Sequence, residues 1–187
     1  SRRMARREFD ELYRLEDFYW WFVGRRRLVR DLLGRYAQRP PHGGPLRVLD
    51  AGCGTGGTMS VLDDIGELYG CDAESDALEY CRMRGFTRIA ASEIERLPFG
   101  PGSFDVVVSC DVLEHIADDT EALRQMYERL RPGGVLVATV PAHPFLWSEH
   151  DEALAHVRRY TRHEFVGRLQ EVGYRVEKCS AAVSLVF

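Results

Sequence analysis

The segment Asp50-Ala51-Gly52-Cys53-Gly54-Thr55-Gly56-Gly57 has the residue types and spacing with the clearest chemical meaning in this sequence. An apolar run, Leu46, Val48 and Leu49, meets an acid and then at once a glycine loop. A buried parallel strand reads this way when it ends in a tight turn beneath a nucleotide-like ligand. Gly52, Gly54 and Gly56 or Gly57 can adopt positive φ, and without a Cβ they let a ligand lie against the backbone. The spacing Gly52-x-Gly54-x-x-Gly57 also satisfies the dinucleotide fingerprint, so the loop alone leaves two ligand classes open. Asp50 separates them. A carboxylate there repels a pyrophosphate and suits a ligand carrying an ammonium or a sulfonium.

Asp72 falls 22 residues after Asp50, at the end of the next apolar stretch. At a neighbouring strand tip it can accept both hydroxyls of a ribose, with Ala73 beside it. Read alone it serves equally well as the cap of a helix beginning near Ser75. Glu93 follows a third strand and can accept a hydrogen bond from an adenine amino group, while the Ile94 N–H reaches a ring nitrogen. Glu95 is the rival acid, but its spacing fits the outer side of the Leu97-Pro98-Phe99 turn.

A second constellation lies between Pro141 and Tyr160, where about twenty residues carry no regular pattern, a length that usually marks function or disorder. Trp147, Asp151, His156, Arg159 and Tyr160 are candidates for an acceptor-binding loop, and His150 or His143 for a general base. Histidines and arginines also pin loops by hydrogen bonding, which is the competing reading. His143, His150, Asp151 and His156 match no standard metal-site spacing, so no metal is assigned. His115, just after the fourth strand, is expected to be structural or to touch the cofactor. Tyr19-Trp20-Trp21-Phe22 reads as an apolar staple or as a lid, with Trp21 or Tyr19 shielding a cation by its ring. Arg25 or Arg26 would then pair with a ligand carboxylate.

The elements that must position these groups alternate along the chain. Two helices are expected within residues 6–37, followed by a Pro- and Gly-rich linker, residues 39–45. Strands are expected over 47–50, 68–72, 87–91, 104–110 and 135–140, with a last strand from Tyr174 onward. Helices are expected over 58–64, 75–84 with Ser75 as N-cap, 118–130 and 161–172. This is the pattern of a doubly wound, mostly parallel α/β sheet, whose ligand sits beyond the C-terminal strand ends.

Bulk properties agree with one soluble domain. The chain has 187 residues, 45% hydrophobic and 29% charged, and no apolar stretch of membrane-spanning length. Five cysteines without a CxxC pair disfavour a metal or disulfide framework and fit a reducing compartment, so a cytoplasmic location is expected. The net charge of −4 argues against general nucleic-acid binding. Residues 1–39 are nonetheless positive and can meet a phosphate or a membrane surface peripherally.

Taken in order, Asp50 to Gly56, Asp72, Glu93 before Leu97-Pro98-Phe99, Phe104 to Val108 leading into Asp111-Val112-Leu113-Glu114-His115, and Leu130-Arg131-Pro132-Gly133-Gly134 resemble the class I S-adenosylmethionine (SAM)-dependent methyltransferases. The likeness covers about residues 46–140 and is greatest to the small-molecule branch containing ubiquinone-biosynthesis-type enzymes. It implies a Rossmann-like methyltransferase fold, with residues 1–39 as a helical lid and 45–187 as the SAM-binding domain. Asp50, Gly52, Cys53 and Gly54 would hold the methionine part, Asp72 and Ala73 the ribose, and Glu93 and Ile94 the adenine. Cys110 and Asp111 would line the floor near the transferred methyl, with His115, Trp21 and Arg26 as further contacts. Such folds finish in a β-hairpin of which one strand is visible here, so a C-terminal segment is expected to be missing. The implied reaction is methyl transfer to O or N of a small-molecule acceptor. A nicotinamide-dependent oxidoreductase is the alternative; Asp50 speaks against it, and Lys178, the sole lysine, leaves no Tyr-x-x-x-Lys pair. A non-catalytic SAM-binding partner protein is the third reading. No Asn-Pro-Pro-Tyr type tetrapeptide follows the fourth strand, which disfavours nucleic-acid bases as acceptors.

Overall fold

In the computed structural model, which describes residues 6–38, 40, 43–142 and 156–180, the chain builds one five-stranded sheet. Strands β1 (Leu46–Ala51), β2 (Gly66–Asp72), β3 (Ile89–Ala91), β4 (Phe104–Cys110) and β5 (Leu130–Thr139) are all parallel, in the spatial order β3-β2-β1-β4-β5. Helices α1 (Arg6–Leu15), α2 (Trp20–Tyr36), α3 (Gly57–Leu62), α4 (Ser75–Met83), α5 (Asp119–Arg129) and α6 (Arg162–Val172) flank it. The doubly wound parallel sheet expected from the sequence is therefore the observed fold. Strand order reverses between β1 and β4, so their C-terminal ends diverge there into a crevice.

The apolar strands are explained by burial on both faces. Every residue of β4 is buried. Val48, Val106 and Val108 pack on one side with Val29 and Leu33 of α2, Leu62 of α3 and Leu78 of α4. Leu49, Ala51 and Val107 pack on the other with Ala122, Leu123 and Met126 of α5 and Phe165 of α6. At the lower edge, Asp105 accepts from Arg47 N at 2.8 Å and from Arg131, which ties β1 to the start of β5.

Several local expectations are corrected. Ser75 is the first residue of α4 rather than its cap; Glu74 holds the cap position without a side-chain bond. The strand expected from Tyr174 is absent through residue 180, where Tyr174 instead donates to Leu123 O at 3.0 Å. Asp118 and Thr161 cap α5 and α6 by side-chain acceptance, the latter in a full capping box with Glu164. In the aromatic run Tyr19 and Trp20 are about half exposed, Phe22 is partly buried, and the neighbouring Phe18 is 86% exposed. Trp20 and Trp21 open α2, and the Trp21 side chain lies outside the described ones.

Beside the apolar packing of Val29 and Leu33, polar contacts fasten the N-terminal helices. Arg26, buried, donates to Gly57 O at 3.0 Å and to Glu16 O. Glu16, also buried, accepts from Thr55 Oγ1 at 2.7 Å and from Arg84 at 2.6 Å. A Cβ on Gly57 would stand 2.2 Å from Glu16 Oε2, so this glycine serves close docking of α1 and α2. Phe9 adds a small apolar contact with Ala77 and Tyr80 of α4. Gly57→Ala is accordingly expected to destabilise the protein by about 1–3 kcal/mol. Urea melts together with proteolysis of the N-terminal segment would measure this, and an unchanged midpoint would contradict the docking geometry.

Candidate functional site

The ends of β1, β2, β3 and β4 bring the dispersed candidate residues to one cavity. Gly52, Cys53 and Gly54 line it from β1, Asp72 and Ala73 from β2, Glu93 and Ile94 from the turn after β3, and Cys110, Asp111 and His115 from beyond β4. His156, Arg159 and Tyr160 line its other flank. The glycine loop is built for this wall. Gly52, Gly54 and Gly56 all have positive φ, and a Cβ on Gly54 would meet nothing within 4 Å, so its open side faces the cavity.

The backbone donors of the loop are largely committed. Gly52 N and Cys53 N both donate to Cys71 O, at 2.8 and 2.9 Å. Gly54 N donates to Asp72 Oδ2 at 2.8 Å, and Gly56 N to Cys53 O at 2.9 Å. Asp72 Oδ1 accepts from Glu74 N at 2.9 Å, so this carboxylate pins the loop while each oxygen keeps a further lone pair for a hydroxyl. Desolvation raises the Asp72 pKa above the ordinary carboxylate value.

Asp50 lies behind this wall, 3% exposed, and its Oδ2 has no hydrogen-bond partner among the described residues. Burial lifts its pKa from 3.8 to about 7, against the pull of Arg25. Asp111 is the one described non-glycine residue with positive φ, at 54°. Asp tolerates that conformation better than most residues, and such strain collects at functional sites. Its carboxylate accepts from Thr139 Oγ1 at 2.8 Å and pairs with Arg25. Burial pushes the Cys110 thiol up to about 12, which marks it as a neutral wall residue rather than a nucleophile.

Several expected roles are relocated. Arg26, expected toward a ligand carboxylate, is spent on Glu16, Asp17, Phe22 and Gly57 behind the loop; Arg25 faces the site instead. Tyr160 is a buried strut, donating to Asp119 Oδ2 at 2.7 Å, and Arg158 and Arg168 also pair with Asp119. Arg159 donates to Ala142 O at 3.2 Å. His143, Trp147, His150 and Asp151 lie outside the described residues. Glu114 was not anticipated: it is 1% exposed, and burial lifts its pKa from 4.5 to about 8. No local pattern marks it, because residues 156–160 cover it from forty positions downstream.

With this geometry, comparison with known proteins is direct. A family model described as "Methyltransferase domain" matches residues 49–138, the span from β1 to β5 that carries the glycine loop and every strand tip of the cavity. The chain is 29% identical over 163 residues to a Mycolicibacterium smegmatis protein named a probable S-adenosylmethionine-dependent methyltransferase, covering 84% of this chain and 60% of that one. It is 30% identical over 123 residues to a ubiquinone biosynthesis O-methyltransferase of Mesorhizobium japonicum, covering 60% and 49%. The chain thus spans about half of the length of these curated relatives. Among solved structures, a SAM-dependent methyltransferase from Aquifex aeolicus superposes with a TM-score of 0.68 at 17% identity, covering 94% of this chain and 92% of that one. The Haloferax volcanii methyltransferase solved with the Trm112 activator gives 0.72 at 21% identity, covering 92% and 77%. These superpositions show the fold. The matching domain model, these relatives and these solved structures all carry methyltransferase names, and the Mycolicibacterium smegmatis and Aquifex aeolicus proteins are named as S-adenosylmethionine-dependent.

The protein holds a buried acid whose proton the unfolded chain would lose. Folding raises the Asp50 pKa, so its contribution to stability is full below about pH 4 and lost as pH rises through about 7. Ligand-free protein should lose on the order of 1 kcal/mol of stability per pH unit from this group between pH 5 and 7. In Asp50→Asn that part of the slope should vanish, as denaturant melts across the window would show. Parallel slopes in the two proteins would mean Asp50 ionises normally.

Proposed function

We propose that this protein moves the methyl group of SAM to an oxygen or nitrogen of a small-molecule acceptor by in-line displacement, releasing S-adenosylhomocysteine. The observation that carries the reading is the glycine loop. The N–H groups of Gly52, Cys53, Gly54 and Gly56 are all used inside the protein, so they are not offered to a diphosphate. Around them stand carboxylates, Asp50, Asp72 and Asp111, which favour a cationic ligand. This disfavours a nicotinamide dinucleotide on the same loop, since such ligands rely on free loop donors.

The residues present fit the cofactor. Asp50 has a buried carboxylate oxygen without a partner, and Gly54 presents a side where a side chain would intrude. We assign Asp50, Gly52, Cys53 and Gly54 to the methionine part, Asp72 and Ala73 to the ribose, and Glu93 with Ile94 to the adenine. Cys110, Asp111 and His115 border the reacting end, and Arg25 replaces Arg26 as the guanidinium available there. A sulfonium supplies a methyl carbon already activated for displacement. The protein's own part is to hold donor and acceptor in line and to exclude water, which is worth about 7–11 kcal/mol. Where the acceptor must lose a proton, His143 or His150 is proposed to receive it. Trp147, Asp151, His156 and Arg159 are proposed to face the acceptor, and the Trp21 ring to shield the cation.

The likeness to a ubiquinone biosynthesis O-methyltransferase supports a small, partly apolar acceptor. No helix of the described residues is long and apolar enough to cross a membrane. Gly54→Val should weaken SAM binding at least a hundredfold in calorimetry while leaving the fold intact by circular dichroism. Transfer of label from methyl-labelled SAM to phenol, amine and sugar panels tests the activity. Tight binding without turnover on any panel member would favour a non-catalytic SAM-binding role.

A further inference from the structure

Glu114, His115 and His156 bring three ligand-type atoms within 4.8 Å of one another. The fold builds this convergence from distant positions. Glu114 and His115 sit on a one-turn 3-10 helix, Leu113–His115, directly after β4. His156 begins the returning segment and is held in place by a 2.8 Å bond from Val157 N to Glu114 O. The two imidazole rings meet edge to face with centroids 4.8 Å apart. His156 Nε2 stands 3.9 Å from Glu114 Oε1, beyond direct hydrogen bonding.

Glu114 supplies the independent sign of a ligand. Its side chain is 1% exposed, and Oε2 has no hydrogen-bond partner among the described residues. A buried carboxylate is retained when a cation or donors satisfy it. Two guanidiniums act on Glu114 from nearby: Arg25 is paired with Asp111, and Arg159 donates to Ala142 O. All three residues line the same cavity as the glycine loop, so remaining coordination positions would open toward it.

We propose that Glu114, His115 and His156 bind one divalent transition-metal cation. Two imidazoles and one carboxylate suit zinc, cobalt or manganese better than calcium or magnesium, which prefer oxygen-only shells. Metal–ligand distances of about 2.0–2.2 Å set ligand atoms about 3–4 Å apart, so binding draws the cluster inward by about 1 Å. His115 is the exposed member of the three. This site was not legible as a metal motif, because the spacing 114, 115, 156 joins two segments that only the fold places together.

The test uses the full chain, freed of metal by chelation and dialysis, and titrated with CoCl2 while the visible d–d absorption is followed. One equivalent should bind with a four- or five-coordinate spectrum, and ZnCl2 should displace it. His156→Ala and His115→Ala should each weaken binding at least thirtyfold, and Glu114→Gln likewise, with thermal melts confirming that each variant is folded. The exposed His163→Ala, outside the cluster, should bind as the parent does. Absence of saturable binding, or binding that His115→Ala and His156→Ala leave unchanged, overturns the proposal. So does a thiolate charge-transfer band abolished by Cys179→Ser. S-adenosylhomocysteine binding, measured on the same samples, reports the methyltransferase reading separately from the cation result.

Discussion

Acidic side chains gathered at one edge of the sheet are the constraint around which this structure is arranged. Asp50, Asp72, Asp111 and Glu114 all stand at or just past the C-terminal strand ends, and Asp50 and Glu114 are nearly or fully buried. A parallel sheet brings the ends of its strands together, so charges separated by tens of residues become neighbours. Each is handled differently. Asp72 spends its charge on backbone amides, Asp111 on Arg25 and Thr139, while Asp50 and Glu114 keep an oxygen without a hydrogen-bond partner among the described residues.

This division explains how one loop shape can serve different donors. Glycine spacing alone is shared between dinucleotide and SAM sites. Discrimination comes from where the loop's amides point, and here they point inward, to Cys71, Asp72 and Cys53. Asp72 is thus at once a structural fastener and a candidate hydroxyl acceptor, two roles that use different lone pairs of one carboxylate.

Much of this was readable from the sequence where the signal is local. The apolar strands, their order, the glycine loop and the acids at β1 and β2 tips follow from short patterns that a parallel α/β fold imposes. What escaped depends on phase or distance. Arg25 and Arg26 are indistinguishable within an arginine triplet, yet about 100° of helical turn sends one to Asp111 and the other behind the loop. The aromatic run 18–20 reads as core material, but the buried part of α2 begins only at Arg26 and Val29, leaving those rings outside. Glu114 is buried by a segment forty residues away, and no nearby residue announces it.

The polar fastening of the N-terminal helices bears on the order in which the chain can settle. Glu16 finds its partners on Thr55 and Arg84, which follow it by 39 and 68 residues. During synthesis the first two helices emerge well before those partners exist, and burying a charged glutamate without partners is costly. The Glu16 side chain therefore keeps its water until Thr55 and Arg84 have been made.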